Sequence, residues 1–172
     1  WLMERVFYGL KEQLSDYPLF LMGRGRLDVI SSFRRSGNGV LFASDSAGEG
    51  IDLAGDILSS LIVVKLPFPV PDPVMEYQRN LYEDFDLYRR DTIIPEMLIK
   101  LRQWFGRGIR REKDTAVFSI LDSRASLRGR YRAEILNTLP TMPVTDRLMD
   151  VENFIIRKKT DSYFMDKENA IA

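Results

Sequence analysis

Apolar positions along the chain switch repeatedly between two periods. Leu2, Met3, Val6, Phe7, Leu10 and Leu14 recur at three- and four-residue intervals, which predicts a helix over Leu2–Leu14. Tyr17–Met22 is a short apolar run and predicts a strand. Leu27, Ile30 and Phe33 return to helical spacing within Arg26–Arg35, and Gly37 follows as a stop. Gly39–Ala43 reads as a buried strand, a Gly-rich loop runs on through Gly55, and Leu61–Leu66 is another continuous apolar strand. Helices alternating with strands that are apolar throughout imply an α/β fold, a parallel sheet with helices on both faces.

The second half continues the alternation. Pro67, Pro69, Pro71 and Pro73 make a stiff bend in which Asp72 and Pro73 carry helix-start chemistry. A helix is predicted over Val74–Tyr88, then a longer one from Thr92 or Ile93 to Arg110 with Pro95 in its first turn. Thr115–Leu121 reads as a buried strand and Tyr131–Leu139 as a short helix. Beyond Pro140 the pattern is irregular, with a terminal helix expected around Thr145–Ile155 and frayed residues over Lys167–Ala172.

Composition narrows the chemistry. With 172 residues the chain fits one globular domain. No apolar run approaches the ~18–20 residues that a membrane span needs; the longest candidate, Leu58–Leu66, contains Ser59, Ser60 and Lys65. The opening Trp1–Gln13 is amphipathic rather than a signal peptide, so no membrane partner, a cytoplasmic location and a monomeric chain are expected. Cysteine and histidine are absent, which excludes disulfides, thiol nucleophiles, Ser-His-Asp catalysis, ordinary zinc sites and a cysteine-held iron–sulfur cluster within this chain. Basic and acidic residues balance at 25 each, whereas a stand-alone nucleic-acid binder is usually basic. Positive charge is nevertheless clustered, at Arg102, Arg107, Arg110, Arg111 and Lys113, and again at Arg124, Arg128, Arg130 and Arg132.

Four segments carry candidate chemistry. Gln103-Trp104-Phe105-Gly106-Arg107-Gly108-Ile109-Arg110 has the form Q-x-x-G-R-x-x-R. On a helix its Gln103, Arg107 and Arg110 share one face. An amide and two guanidiniums there suit a γ-phosphate and its attacking water, because Arg holds phosphate oxygens bidentately and stabilises the charge of phosphoryl transfer. Gly106 would let another backbone approach closely. The plainer alternative is a solvated basic face.

Ser44-Asp45-Ser46-Ala47-Gly48-Glu49-Gly50-Ile51-Asp52 follows a strand directly, where α/β sheets bind ligands. Gly48 and Gly50 admit phosphate or sugar to the backbone, Ser44 and Ser46 can donate to phosphate oxygens, and Asp52 could accept from a ribose hydroxyl. A surface loop with helix-capping acids is the alternative. Lys65–Pro73 could shape a DNA-facing loop or be a structural turn. Arg24, within Gly23-Arg24-Gly25-Arg26, could contact a nucleic-acid backbone or belong to a solvated loop. No G-x-x-x-x-G-K-[ST] sequence and no acidic D-E-x-H box occur, so the chain has candidate arginine fingers without a phosphate cradle or a Mg²⁺ site.

In this order the motifs resemble the C-terminal helicase lobe of the DinG/XPD family in helicase superfamily two, over roughly residues 1–139, with 140–172 as an extension. Gly48–Asp52 stands for motif V and Gln103–Arg110 for motif VI; the block Ile94–Arg124 is more like bacterial DinG than eukaryotic XPD. The resemblance implies a RecA-like second motor lobe of an ATP-dependent DNA helicase. Arg107 and Arg110 would reach ATP held with Mg²⁺ by the first lobe, with Gln103 beside them. Glu49, Gly50, Asp52 and Gly106 would serve the shared nucleotide site, and Ser44, Ser46 and Arg24 the DNA. Single-stranded DNA and the first lobe are the implied partners, with 5′-to-3′ movement. Many family members carry a 4Fe–4S cluster in the first lobe, and some carry an exonuclease domain. Family members also have an apolar strand just before the first helix, so one strand is expected to be missing here. A non-catalytic RecA-like binding module is the alternative.

Overall fold

A computed structural model of the chain describes residues 2–23, 27–44, 53, 57–109, 114–161, 163 and 164. Helix α1 (Leu2–Leu10) places Phe7 edge-on to Phe42, with ring centroids 5.4 Å apart. It stops four residues short of the predicted end and gives way to turns, the first closed by Leu14 N–H on the Leu10 carbonyl. Strands β1 (Leu19–Leu21) and β2 (Val40–Phe42) pair in parallel, Phe20 beside Leu41 and Leu21 beside Phe42. Helix α2 (Leu27–Ser36) joins them and ends at Gly37, whose φ of 71° is the left-handed conformation that glycine adopts without strain. Because side chains alternate across a strand, Phe20 and Leu41 face Ile30 and Phe33 of α2, while Phe42 faces α1. This strand pair is therefore covered by helices on both faces.

Strands β3 (Ser60–Val63) and β4 (Val117–Ile120) form a second parallel pair, with Leu61 beside Phe118 and Val63 beside Ile120. Its covered face packs under α5 (Ile94–Gly108) and α6 (Arg132–Thr138), in a core of Val63, Leu66, Met97, Leu101, Tyr131, Ile135 and Leu139. Met97 and Leu101 are fully buried, four residues apart on one side of α5, each contributing about 1.5–3 kcal/mol.

The expectation of parallel strands connected by helices holds. The expectation of one sheet with helices on both faces is met in part. The described residues form two two-stranded pairs. Moreover, β3 is half-buried, because Ile62 and Val64 point outward and are 57% and 53% exposed. The unbroken apolar run of residues 61–64 hid this alternation.

The predicted helix over 74–88 is also divided. Helix α3 (Pro73–Arg79) is capped by Asp72, which accepts from Met75 N–H at 2.8 Å, and ends at Asn80. Helix α4 (Phe85–Tyr88) starts anew on Asp84, whose side chain caps Asp86 N–H. A π-helical turn, Arg89–Ile93, then leads into α5 with Pro95 in its first turn, as expected. The terminal helix α7 spans Leu148–Lys158. Beyond it, Lys159 Nζ donates to the Thr115 carbonyl and Tyr163 Oη to Ser59 Oγ, both at 2.6 Å, which ties this segment to the starts of β4 and β3. No helix among the described residues is long and apolar enough to cross a membrane.

Candidate functional site

The two faces of α5 have separate tasks. Met97, Leu101 and Gly108 are buried, and Leu98, Trp104 and Phe105 pack against the core. The opposite stripe, Ile99, Arg102, Gln103 and Gly106, is exposed, and Arg107 is half-buried at its edge. The apolar period of the inner face thus rotates Gln103, Gly106 and Arg107 outward together. Among the described residues, and apart from its own helix, nothing lies within 4 Å of a Cβ placed on Gly106, so none of their backbone uses the close approach that this glycine permits. The tight position is Gly108, where a Cβ would meet the Ala116 methyl at 3.3 Å and Leu58 Cδ2 at 3.9 Å.

The expectation that α5 reaches Arg110 is corrected. The helix ends at Gly108, and Ile109 is extended with φ −132° and ψ 104°. Two glycines within three residues weaken the last turn, and β-branched Ile109 turns toward β4. Arg110 itself lies outside the described residues, as do Arg24, Ser46, Glu49, Gly50 and Asp52. Ser44 is described: it is exposed two residues past the carboxyl end of β2. Leu53, directly after Asp52, is buried in one cluster with Ile30, Phe33 and Leu58.

A further cluster joins the carboxyl ends of β3 and β4. Asp122 Oδ2 accepts from Leu66 N–H at 3.0 Å, and Oδ1 accepts from the backbone N–H of Arg124 at 3.0 Å. The Arg124 guanidinium grips both carboxylate oxygens, through Nε at 2.9 Å and Nη2 at 2.6 Å. It also lies over the Phe68 ring, 4.6 Å from its centroid, and Phe68 contacts Tyr131. The Arg124 side-chain bonds hold the Asp122 carboxyl far below the usual carboxylate range, against burial and with help from the Leu66 and Arg124 amides. The Lys65–Pro73 bend is therefore fixed to β4 at its root, while Val70 at its tip is 82% exposed. Reading along the sequence noted Arg124 in a basic cluster and Lys65–Pro73 as a bend but did not join them, because the Leu66–Asp122 bond spans 56 positions.

Among the described residues no three His, Cys, Asp or Glu side chains gather as a metal would require. Among the described residues the geometry supplies an amide and a guanidinium beside a helix end, but no cradle for a nucleotide. A family model described as helicase C-terminal domain matches residues 1–142. The chain belongs to that family. It is a DinG-like helicase C-terminal region, 35% identical over 143 residues to the ATP-dependent DNA helicase YoaA of Escherichia coli, covering 80% of this chain and 22% of that protein. Against YoaA of Haemophilus influenzae the identity is 37% over 165 residues, 88% of this chain and 25% of the relative. The 3'-5' exonuclease DinG of Bacillus subtilis is 28% identical over 152 residues, 84% of this chain and 16% of its own length. This helicase region thus spans a quarter or less of these curated relatives.

Proposed function

We propose that the chain is the second motor lobe of an ATP-dependent DNA helicase, turning Gln103, Arg107 and Arg110 toward ATP and Mg²⁺ held by a first lobe of the same polypeptide. The observation that carries this reading is the exposed stripe of α5. Gln103 and Gly106 stand clear of the chain's own packing, with Arg107 at their side. A solvated basic face would not need a glycine in the last turn of the helix, where it costs up to roughly 1 kcal/mol relative to alanine. A partner lobe or a nucleotide approaching that stripe does need it.

In this reading the lobe brings charge rather than a binding pocket. A guanidinium aimed at the γ-phosphate stabilises the negative charge that spreads over its oxygens, and Gln103 orients the attacking water. Ser44 and Ser46 contact the DNA backbone together with Arg24, and Glu49, Gly50 and Asp52 link the DNA-facing loop to the nucleotide. The missing phosphate cradle explains why the lobe alone would be silent.

The test is DNA-stimulated ATP hydrolysis by the full-length protein. Arg107→Ala and Arg110→Ala should each lower turnover by about 10³–10⁵, with the thermal midpoint unchanged. Wild-type turnover in both variants would overturn the reading, as would a full-length protein without ATPase.

A further inference from the structure

The π-helical turn and the start of α6 enclose a cleft of about 350 Å³ that plays no part in the site above. Its lining includes Arg89, Arg90, Arg130, Tyr131, Asp86 and Glu134. The three arginines are not equivalent. Arg90 spends its fork on Asp91, with bonds of 2.7 and 3.3 Å. Arg89 is fixed by one contact, Nη1 to Asp86 Oδ1 at 3.0 Å, and its Nε is buried without a hydrogen-bond partner. A buried cationic N–H without an acceptor is costly, so the hydrogen bonds of the Arg89 side chain are incompletely satisfied within the described residues. The Arg130 guanidinium carbon lies over the Tyr131 ring, 5.7 Å from the centroid, and the side chain is exposed, so its N–H groups can donate to a ligand. A π-turn places five residues per hydrogen-bonded loop and locally widens the helix, a distortion common at functional sites.

We propose that this cleft seats a phosphodiester of the bound DNA strand, held by Arg89 and Arg130; this rests on the helicase reading above. Two guanidiniums from separate elements, Arg130 exposed and Arg89 half-buried, fit a backbone phosphate passing over the surface rather than an enclosed small molecule. The place also fits. Tyr131 in the cleft touches Phe68 of the proline bend that follows β3, which joins the cleft by one ring contact to the carboxyl side of the strands, where α/β sheets receive ligands. It lies at the start of α5, while Gln103 and Arg107 lie near its end, about 15–20 Å away along the helix, so the two sites do not share a ligand. Glu134 opposes a phosphate in the cleft and therefore tunes its strength.

The experiment is equilibrium binding of a fluorescent oligo-dT to the full-length protein, by anisotropy over a range of KCl. Arg130→Gln and Arg89→Gln should each weaken binding and reduce the slope of log K against log[salt] by about 0.7 per lost contact. Glu134→Gln should strengthen binding, a sign that disturbed folding would not produce. Since half-buried Arg89 could be needed for folding, the variants of exposed Arg130 and of Glu134 decide the matter if the Arg89 variant melts early. Unchanged affinity and slope in those two variants overturn the proposal. So does a site for free anions only, seen as stabilisation of the wild type, but not of Arg130→Gln, by inorganic pyrophosphate with DNA binding unaltered. A wild-type protein that does not bind oligo-dT at all would instead refute the helicase reading.

Discussion

At the residue scale, Asp122 and Gly106 make opposite demands. Asp122 closes four hydrogen bonds with little exposure, and Arg124 depends on it. Its folded-state pKa is depressed, so its contribution is fully present above the ordinary aspartate value near ~4 and disappears as pH falls below that through the folded value. Asp122→Asn should lose about 2–3 kcal/mol at neutral pH, or about 5–10 °C in thermal midpoint. The gap to wild type should close as the melt is repeated at increasingly acid pH. Gly106→Ala, in contrast, adds a methyl to empty space in a helix. The lobe should gain up to about 1 kcal/mol by denaturant titration, while DNA-stimulated ATPase of the full-length protein falls. That conflict of signs separates a functional glycine from a neutral one. Gly106 was legible in the motif spacing; Asp122 was not, because nothing local marks a residue whose partner lies 56 positions away.

At the scale of elements, α5 was the most legible because Met97, Leu101 and Phe105 repeat at four-residue intervals and share a buried side. Leu101→Ala should cost about 2–5 kcal/mol in a chemical melt, far more than any change on the outer stripe. Its end was misread because the motif itself mimics helical spacing through Arg110, and the stopping power of Gly108 and Ile109 was outweighed. In the same way Asn80 and Asp84 divide what apolar counting joined into one helix over 74–88. The turn from β4 to α6 depends on Gly129, where a Cβ would run into the Arg124 carbonyl and approach Ser126 N to 2.7 Å. Gly129→Ala should therefore displace Arg124 and lower the melting temperature by an amount comparable to Asp122→Asn.

For the whole molecule, parallel strands and the order of motifs were readable from the sequence. The split into two strand pairs was not, because Ile62 and Val64 are apolar yet face outward. Charge is balanced overall, so DNA affinity is expected to come from local arginines; the isolated chain should bind single strands weakly and lose them steeply with salt. It should also hydrolyse no ATP, as phosphate release from the purified chain would check. One consequence concerns the straightness of α5. It is a rod of about 20 Å with the arginine cleft at its base and Arg107 near its tip, clamped along one side by Met97 and Leu101. Tilting such a rod by only about 5° at the base moves the tip by nearly 2 Å, and misplacement of about 1 Å can cost a hundredfold in rate. On the proposed reading the helix would serve as a lever arm, converting a tug on the strand into a displacement on the scale to which chemistry is sensitive.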